Sequence, residues 1–389
     1  MPQKVADAGP MRSLTDLLLL GQGKDLASER GVSCTGELPE ASDPSLVLRA
    51  KKAREVLGDR ALILGHHYQR DEVIAFADIT GDSFKLAQVA EKSTAEYIIF
   101  CGVHFMAESA DILTSDFQKV ILPDLAAGCS MADMATANQV NQCWSDLEKA
   151  GVASKTIPVT YMNSSAAIKS FTGEHGGTIC TSSNAFKTME WAFTQGEKIL
   201  FLPDQHLGRN TAILSLGLSA QDCVLWNPWK PMGGLSIEEI ENARVILWRG
   251  HCSVHGRFTQ DSVKEVRERV PGVQVLVHPE CQNEVVSAAD VVGSTEMIIK
   301  TVEASPPGSK WAIGTELNLV SRLAKNNPDK TIVFLDKTVC YCSTMNRIDL
   351  PHLVWVLESL VNGRIVNQIK VDSKISQYSK LALERMLAL

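Results

Sequence analysis

Three cysteines occupy similar places along the chain. Cys129, Cys252 and Cys342 each lie a few residues beyond a short apolar run, in a polar or glycine-containing stretch. The runs are residues 120–122, 245–247 and 332–335. Because three similar segments each deliver one soft ligand, we expect the thiols to meet at one metal site with a coordination position left open. An open position is typical of a metal that takes part in chemistry.

The identity of the metal is open from these residues alone. Zinc would suit three thiolates with His251 or His255 as a fourth ligand, but structural zinc sites usually draw on close pairs such as C-x-x-C. Thiolates also hold iron–sulfur clusters, and three of them on a [4Fe–4S] cube leave one iron exposed as a Lewis acid. Cys340, two residues before Cys342, is an alternative third ligand.

Titratable and amide side chains follow other apolar runs of the chain. His66 comes directly after the first run, and His278 and Glu280 follow the first run of the last third. Tyr161 and Asn163 hold the corresponding place in the middle third. A histidine and a glutamate in a cleft can transfer protons if burial moves their pKa values toward neutrality. We therefore predict that His66 and Glu280 exchange protons with a ligand.

Three turns rich in small hydroxyl residues precede helix-like segments. They are residues 81–83, 181–184 and 293–295, which include Ser83, Ser182 and Thr295. Hydroxyl groups at a helix start cap free backbone N–H groups, and the same N–H groups bind carboxylate or phosphate. Plain capping explains any one of these turns. Three turns on one face predict a ligand with several anionic groups.

A repeating α/β framework is predicted to position these residues. Short aliphatic runs, typical of buried parallel strands, occupy residues 61–64, 97–100, 120–122, 157–160, 178–180, 199–202, 245–247, 273–277, 291–292, 311–313 and 332–335. Helix-like segments between runs predict parallel sheets with right-handed crossovers. Because the polar turns and the cysteine recur three times in the same order, we predict a threefold internal repeat.

The repeat divides the chain into three α/β units. We place them at residues 46–150, 151–256 and 257–345, after a variable leader (1–45) and before a C-terminal helical segment (346–389). A long loop over residues 227–234, followed by a helix that starts near Ser236, makes the second unit the longest.

Composition excludes several classes of protein. The 389 residues are 45% hydrophobic and 21% charged, as in an ordinary globular protein, and the net charge of −7 makes nucleic acid an unexpected partner. No apolar stretch approaches the roughly 20 residues of a membrane span, and the acidic leader does not resemble a signal peptide. Ten cysteines in such a chain indicate reduced thiols in the cytoplasm.

The chain resembles the quinolinate synthase family of bacterial NAD biosynthesis. The matching motifs are GHHYQ (65–69), GDS (81–83), GVHFMAE (102–108), GCSMAD (128–133), YMNSSA (161–166), CTSSNA (180–185), PDQHLG (203–208), CSVH (252–255), HPE (278–280), GST (293–295) and CSTMN (342–346). The resemblance implies three pseudo-threefold-related α/β/α domains that form a triangle around a central [4Fe–4S] cluster. It further implies condensation of iminosuccinate with dihydroxyacetone phosphate to quinolinate, phosphate and water.

The resemblance also implies roles for individual residues. The cluster ligands are Cys129, Cys252 and Cys342, the last preferred to Cys340 because a C-x-x-Met element begins at residue 342. The substrate-binding positions are His66, Ser83, Tyr161, Met162, Asn163, Ser182, His278, Pro279, Glu280 and Thr295. Among these, we expect Glu280 and His66 to move protons, and Tyr161 and Asn163 to orient the imine.

Partners and rival functions complete the expectations. The family implies transient channelling of iminosuccinate from an L-aspartate oxidase or an aspartate dehydrogenase. One rival is an iron–sulfur hydro-lyase acting on another polycarboxylate. The other is a non-enzymatic iron–sulfur or zinc sensor, which would not need the recurrent hydroxyl turns or the His278–Glu280 element.

Overall fold

Three small β-sheets, built mainly from parallel strands, form the framework of the protein. The computed structural model describes residues 38–338 and 341–389. The strands are β1 (Ala61–His66), β2 (Ile79–Gly81), β3 (Tyr97–Cys101), β4 (Lys119–Ile121), β5 (Thr156–Tyr161), β6 (Thr178–Cys180), β7 (Lys198–Leu202), β8 (Cys223–Trp226), β9 (Val245–Trp248), β10 (Gln274–Val277), β11 (Val291–Val292), β12 (Lys310–Gly314), β13 (Thr331–Phe334) and β14 (Gln368–Ile369).

Helices connect the strands and flank the sheets. They are α1 (Leu46–Leu57), α2 (Asp71–Ile74), α3 (Ser83–Lys92), α4 (His104–Leu113), α5 (Ala137–Lys149), α6 (Ala166–Glu174), α7 (Ala185–Gln195), α8 (Gln205–Asn210), α9 (Ile237–Asn242), α10 (Gln260–Arg269), α11 (Asn283–Ala288), α12 (Thr295–Ala304), α13 (Leu317–Asn326), α14 (Leu350–Val361) and α15 (Ser373–Ala388). The fold class predicted from the sequence is therefore confirmed as α/β.

The three sheets share one strand order. The first runs β14-β4-β3-β1-β2, the second β6-β5-β7-β9-β8 and the third β11-β10-β12-β13. In each, the first strand of the unit lies between the second and the third, and the last of the shared strands lies beyond the third. This common order is the structural form of the predicted threefold repeat. It also gives each sheet a switch point beside its first strand, where α/β sheets bind ligands.

Local sequence explains why these elements form. Central strands such as β1 and β3 are aliphatic and buried, as parallel strands covered on both faces require. Several helix starts carry side-chain caps. The helix predicted near Ser236 is α9, whose Glu239 amide donates to the Ser236 hydroxyl over 3.1 Å.

The predicted strands are all present, with ends that shift by no more than two residues. Three strands were missed: β2, β8 and β14. All three lie at sheet edges, and β14 pairs antiparallel with β4. β2 (Ile-Thr-Gly) and β14 (Gln-Ile) are too short to show a continuous apolar run, whereas β8 (Cys-Val-Leu-Trp) has one that was not recognised.

The C-terminal segment joins two of the sheets. Helix α14 packs against α1 and β14 extends the first sheet, whereas α15 packs against α6 and β6 of the second. The Ser379 hydroxyl donates to the carbonyl of Ala166 over 2.9 Å, at the start of α6. Gly173 of α6 lies so close to the backbone of Tyr378 that a Cβ there would clash, so this helix contact requires glycine.

Within the described part of the chain, no helix combines the length and the apolar character that crossing a membrane requires.

Candidate active site

One cavity lies where the carboxyl ends of the three sheets converge. It is lined by His66, Tyr68, Asp82, Ser83, Val103, Phe105, Met106, Gly128, Cys129, Met131, Tyr161, Asn163, Thr181, Ser182, Cys252, Val254, His255, His278, Glu280, Thr295, Cys342 and Met345. Each sheet contributes residues that follow its strands, as expected for ligand binding in open α/β sheets.

The structure brings the predicted residues together with two exceptions. All of them line this cavity except Met162 and Pro279. The buried thioether of Met162 accepts a hydrogen bond from the Ser109 hydroxyl over 3.5 Å, and the carbonyl of Pro279 accepts one from the Asn210 amide over 2.8 Å. Met162 lies between Tyr161 and Asn163, and Pro279 between His278 and Glu280, so their contacts hold the backbone that carries lining residues.

The three cysteine loops have the same local geometry. A short 3-10 turn begins three residues after each cysteine, at Ala132, His255 and Met345. In each loop the amide four residues on donates to the carbonyl of the cysteine, over 3.2, 2.9 and 3.0 Å. The repeat seen in the sheets therefore extends to the backbone that presents the thiols.

The thiols suit a cationic group. Cys129, Cys252 and Cys342 are free and half-buried. Burial raises the pKa of all three, that of Cys129 to about 12. Negative charge raises each pKa further: charge on Glu280 and on the neighbouring thiols acts on Cys129 and Cys252, and charge on Glu316 acts on Cys342. Backbone amides two or three residues on oppose this effect by donating to the sulfurs. The thiolate forms therefore require a nearby positive charge, which a bound metal centre provides.

A second donor set lies beside the first. Ligand atoms of Cys252, His255 and Glu280 lie within 4.8 Å of one another and could hold a single metal ion. However, both nitrogens of His255 already have partners: Glu280 Oε2 at 2.9 Å and Thr315 Oγ1 at 3.1 Å. His251, the other histidine considered as a fourth ligand, is exposed. A single ion held by Cys252, His255 and Glu280 would therefore displace a hydrogen bond of His255.

Glu280 is the centre of the polar network. The Tyr161 hydroxyl donates to Glu280 Oε1 over 2.5 Å, and His255 Nδ1 lies 2.9 Å from Oε2. Burial raises the pKa of Glu280, but the adjoining His255 and the hydrogen bonds from His255 and Tyr161 lower it more, so that it lies below its ordinary range. Burial and the Glu280 charge raise the pKa of Tyr161 well above 10. The carboxylate is thus ionised at neutral pH and the phenol keeps its proton.

Two histidines of the cavity are held neutral. Burial lowers the pKa of His66 and of His278 to about 3. The Tyr68 amide donates to His66 Nδ1 over 3.2 Å, and the Glu280 amide donates to His278 Nδ1 over 3.3 Å. Because Nδ1 accepts in both rings, the proton of each neutral imidazole lies on Nε2. Both can therefore donate a hydrogen bond to an anionic ligand.

Neighbouring residues of the hydroxyl turns cap helices and line the cavity. Asp82 caps α3 by accepting from the Lys85 amide, and Ser294 caps α12 by accepting from the Met297 amide. Plain capping is thus correct for Asp82 and Ser294. The next residues, Ser83 and Thr295, line the cavity.

One amide in the cavity wall has an unused acceptor. Within the described chain, Asn163 Oδ1 is buried and has no hydrogen-bond partner. Buried polar atoms normally have one, so an unpaired oxygen in a cavity-lining residue points to a donor group on a ligand.

Comparison with known proteins identifies the family. A family model described as quinolinate synthetase A protein matches residues 47–388. The chain belongs to this family. A quinolinate synthase of Streptomyces coelicolor is 70% identical over 376 residues, which cover 96% of this chain and 95% of that protein. One from Nocardioides is 67% identical over 380 residues, 96% of each chain, and one from Corynebacterium glutamicum is 55% identical over 353 residues, 90% and 89%.

The resemblance predicted from the motifs is therefore confirmed. In this quinolinate synthetase A family member, sequence reasoning missed a chain of side chains beside Glu280. The Tyr68 hydroxyl lies 2.8 Å from Thr315 Oγ1 and 3.0 Å from Thr295 Oγ1, and Thr315 in turn contacts His255. The sequence offered two signals, since Tyr68 lies in the GHHYQ motif and Thr315 in a polar turn after a strand. Their contact, however, depends on how the three sheets pack together.

Proposed function

We propose that this protein is a quinolinate synthase, which condenses iminosuccinate with dihydroxyacetone phosphate to give quinolinate, phosphate and water for NAD biosynthesis. The observation that carries the proposal is one cavity in which three thiols face an ionised glutamate and two neutral histidines. The near full-length similarity to proteins named quinolinate synthase supports the same reaction.

We further propose that Cys129, Cys252 and Cys342 hold a [4Fe–4S] cluster. Support comes from the three equivalent loops, the free thiols and the amides directed at each sulfur. When bound, such a cluster supplies an iron with an open position that acts as a Lewis acid on oxygen leaving groups. Cys340 lies outside the described residues, so the preference for Cys342 stays a prediction.

The remaining lining residues suit the anionic substrates. A dicarboxylate imine and a phosphate ester need several hydrogen-bond donors, and the helix starts at Ser83 and Thr295 provide backbone N–H groups together with hydroxyls. Neutral His66 and His278 can each donate through Nε2. The unpaired Asn163 oxygen can accept from the imine N–H group.

Proton transfer is assigned to groups around Glu280. The ionised carboxylate can accept a proton from a substrate carbon as a general base, while Tyr161 and His255 hold it in place. Protonated Glu280 can then return that proton to a leaving hydroxyl. His66 carries its proton on Nε2 and can donate a hydrogen bond to an oxygen that develops negative charge, while keeping the proton.

A reconstitution assay tests the function. The protein is purified without oxygen, analysed for iron and sulfide, and incubated with both substrates. We expect quinolinate and inorganic phosphate to form only when both substrates are present. Intact cluster without quinolinate would contradict the proposed reaction and favour the rival hydro-lyase, whereas stoichiometric zinc would favour the Cys252–His255–Glu280 set.

A cytoplasmic location and a channelling partner follow as proposals. All cysteines among the described residues are free thiols, which suits a reducing compartment. Because an imine hydrolyses in water, direct transfer from an L-aspartate oxidase or an aspartate dehydrogenase would protect iminosuccinate.

A further inference from the structure

The loop after β1, in the first unit, is held by a helix of the third unit. This loop follows His66, the last residue of β1, and contains Tyr68 of the cavity. Helix α13 of the third unit lies against it. Asn318 and Arg322 are four residues apart on α13 and therefore share one face of the helix. Both side chains point their donors at the backbone of the loop.

Three successive carbonyls of the loop accept hydrogen bonds from these two side chains. Arg322 donates from Nη1 to His67 O over 2.8 Å and from Nη2 to Gln69 O over 2.6 Å. Asn318 donates from Nδ2 to Tyr68 O over 3.0 Å. The planar guanidinium of Arg322 thus binds the carbonyls on either side of Tyr68, while the Asn318 amide binds the carbonyl of Tyr68 itself.

The contacts from α13 affect the cavity through Tyr68. With its carbonyl and both neighbours fixed, Tyr68 has its amide on His66 Nδ1 and its hydroxyl on Thr295 and Thr315. The amide contact sets the tautomer of His66 and the hydroxyl contact joins the chain that leads to Glu280. Backbone carbonyls held in this way carry no chemistry, so the contribution of α13 is geometric.

We propose that Asn318 and Arg322 are positioning residues that place the Tyr68 hydroxyl and the His66 imidazole for the reaction. This inference rests on the proposed function. It adds that the third unit does more than supply lining residues, because its helix also sets the geometry of residues from the first.

Arg322 also offers a matched control. Its Nε donates to Asp71 Oδ1 over 2.8 Å, and Asp71 is half-exposed whereas Arg322 is mostly covered. Asp71→Asn removes this ion pair but leaves both carbonyl contacts. Arg322→Lys keeps the charge near Asp71 but cannot donate to two carbonyls in the fixed fork geometry.

Steady-state kinetics with a double-mutant cycle test the proposal. In protein with wild-type iron content and melting temperature, we expect Arg322→Lys to lower kcat about 10- to 100-fold with KM changed by less than about threefold. Asp71→Asn should change kcat by less than about twofold. In a Tyr68→Phe background the effect of Arg322→Lys should be several-fold smaller, because the hydroxyl to be placed is gone and only the placement of His66 remains. An equal effect in both backgrounds would overturn the proposal.

A measurement without substrate separates this inference from the function. The five tyrosines of the chain can be labelled as 3-fluorotyrosine, and the fluorine NMR signal that disappears in Tyr68→Phe belongs to Tyr68. We expect Arg322→Lys to shift or broaden this signal and Asp71→Asn to leave it in place. An unmoved signal would reject the positioning role even if quinolinate forms, and a moved signal supports it even if the reaction is misassigned. Arg322→Gln serves the same comparison if the lysine variant is unstable.

Discussion

The cavity has two halves that differ in whether the protein alone supplies the partners of their charged groups. The thiol half consists of Cys129, Cys252 and Cys342, whose raised pKa values make the thiolate forms unfavourable without a cation. The proton-transfer half is centred on Glu280, which already has Tyr161 and His255 as partners. One half depends on a group that must be added, whereas the other is preorganised by the protein itself. Substitutions in the thiol half should therefore affect metal content, and those in the proton-transfer half should affect turnover.

Removal of a thiol should give the largest effect. We expect Cys342→Ala to lose iron, sulfide and visible absorbance and to abolish quinolinate formation, because three thiolates are needed to hold the cluster. Cys340→Ala should keep all of these, and so should Cys143→Ala, which removes a thiol buried in α5. Iron retention in Cys342→Ala together with loss in Cys340→Ala would reverse the choice of ligand.

Changing the carboxylate should spare the cluster. We expect Glu280→Gln to lower kcat by about 10²- to 10³-fold, because the amide cannot accept the proton. Iron content and absorbance should match wild type, and the exposed Glu303→Gln serves as the control. If Glu280→Gln also loses its cluster, the two halves are not separable and Glu280 belongs to the metal site.

The buried histidines predict how stability depends on pH. His66 and His278 have pKa values of about 3 in the folded protein, below the ordinary value near 6.5. Between these limits the unfolded chain binds more protons, so the free energy of unfolding should fall as the pH drops from 6.5. Each histidine should contribute at most about 1.4 kcal/mol per pH unit.

Urea unfolding of the cluster-free protein between pH 4.5 and 6.5 measures this slope. We expect His66→Asn and His278→Asn to flatten it, and the exposed His251→Asn to leave it unchanged. A slope that is the same in all three variants would mean that the two rings are not held neutral.

The hydroxyl turns should give the smallest effect. We expect Ser182→Ala to raise KM for the anionic substrates roughly tenfold with kcat nearly unchanged, because one hydrogen bond is lost in a site with many donors. Ser376→Ala, in α15, is the control. A fall in kcat without a change in KM would instead assign Ser182 to the proton-transfer half.

The two halves also differ in how far the sequence revealed them. The cysteines recur at equivalent places, so their convergence was predictable from the repeat, and eleven aliphatic runs located the central strands. Tyr68, His255 and Thr315 form a chain across all three sheets, and no periodic pattern links residues from different sheets. Their contacts depend on how the units pack, which pattern and spacing do not encode. The same holds for Met162 and Pro279, which share motifs with lining residues yet anchor the backbone instead.

The position of the C-terminal helix α15 sets an order in which the parts of the cavity are synthesised and covered. Every cavity-lining residue precedes residue 346, whereas α15 spans Ser373–Ala388 and covers the helix that follows Asn163. On the ribosome, all three cysteines are therefore synthesised before the helix that covers α6 and β6. We expect stable insertion of the proposed cluster to wait for α15, so that maturation follows synthesis of residues 373–388.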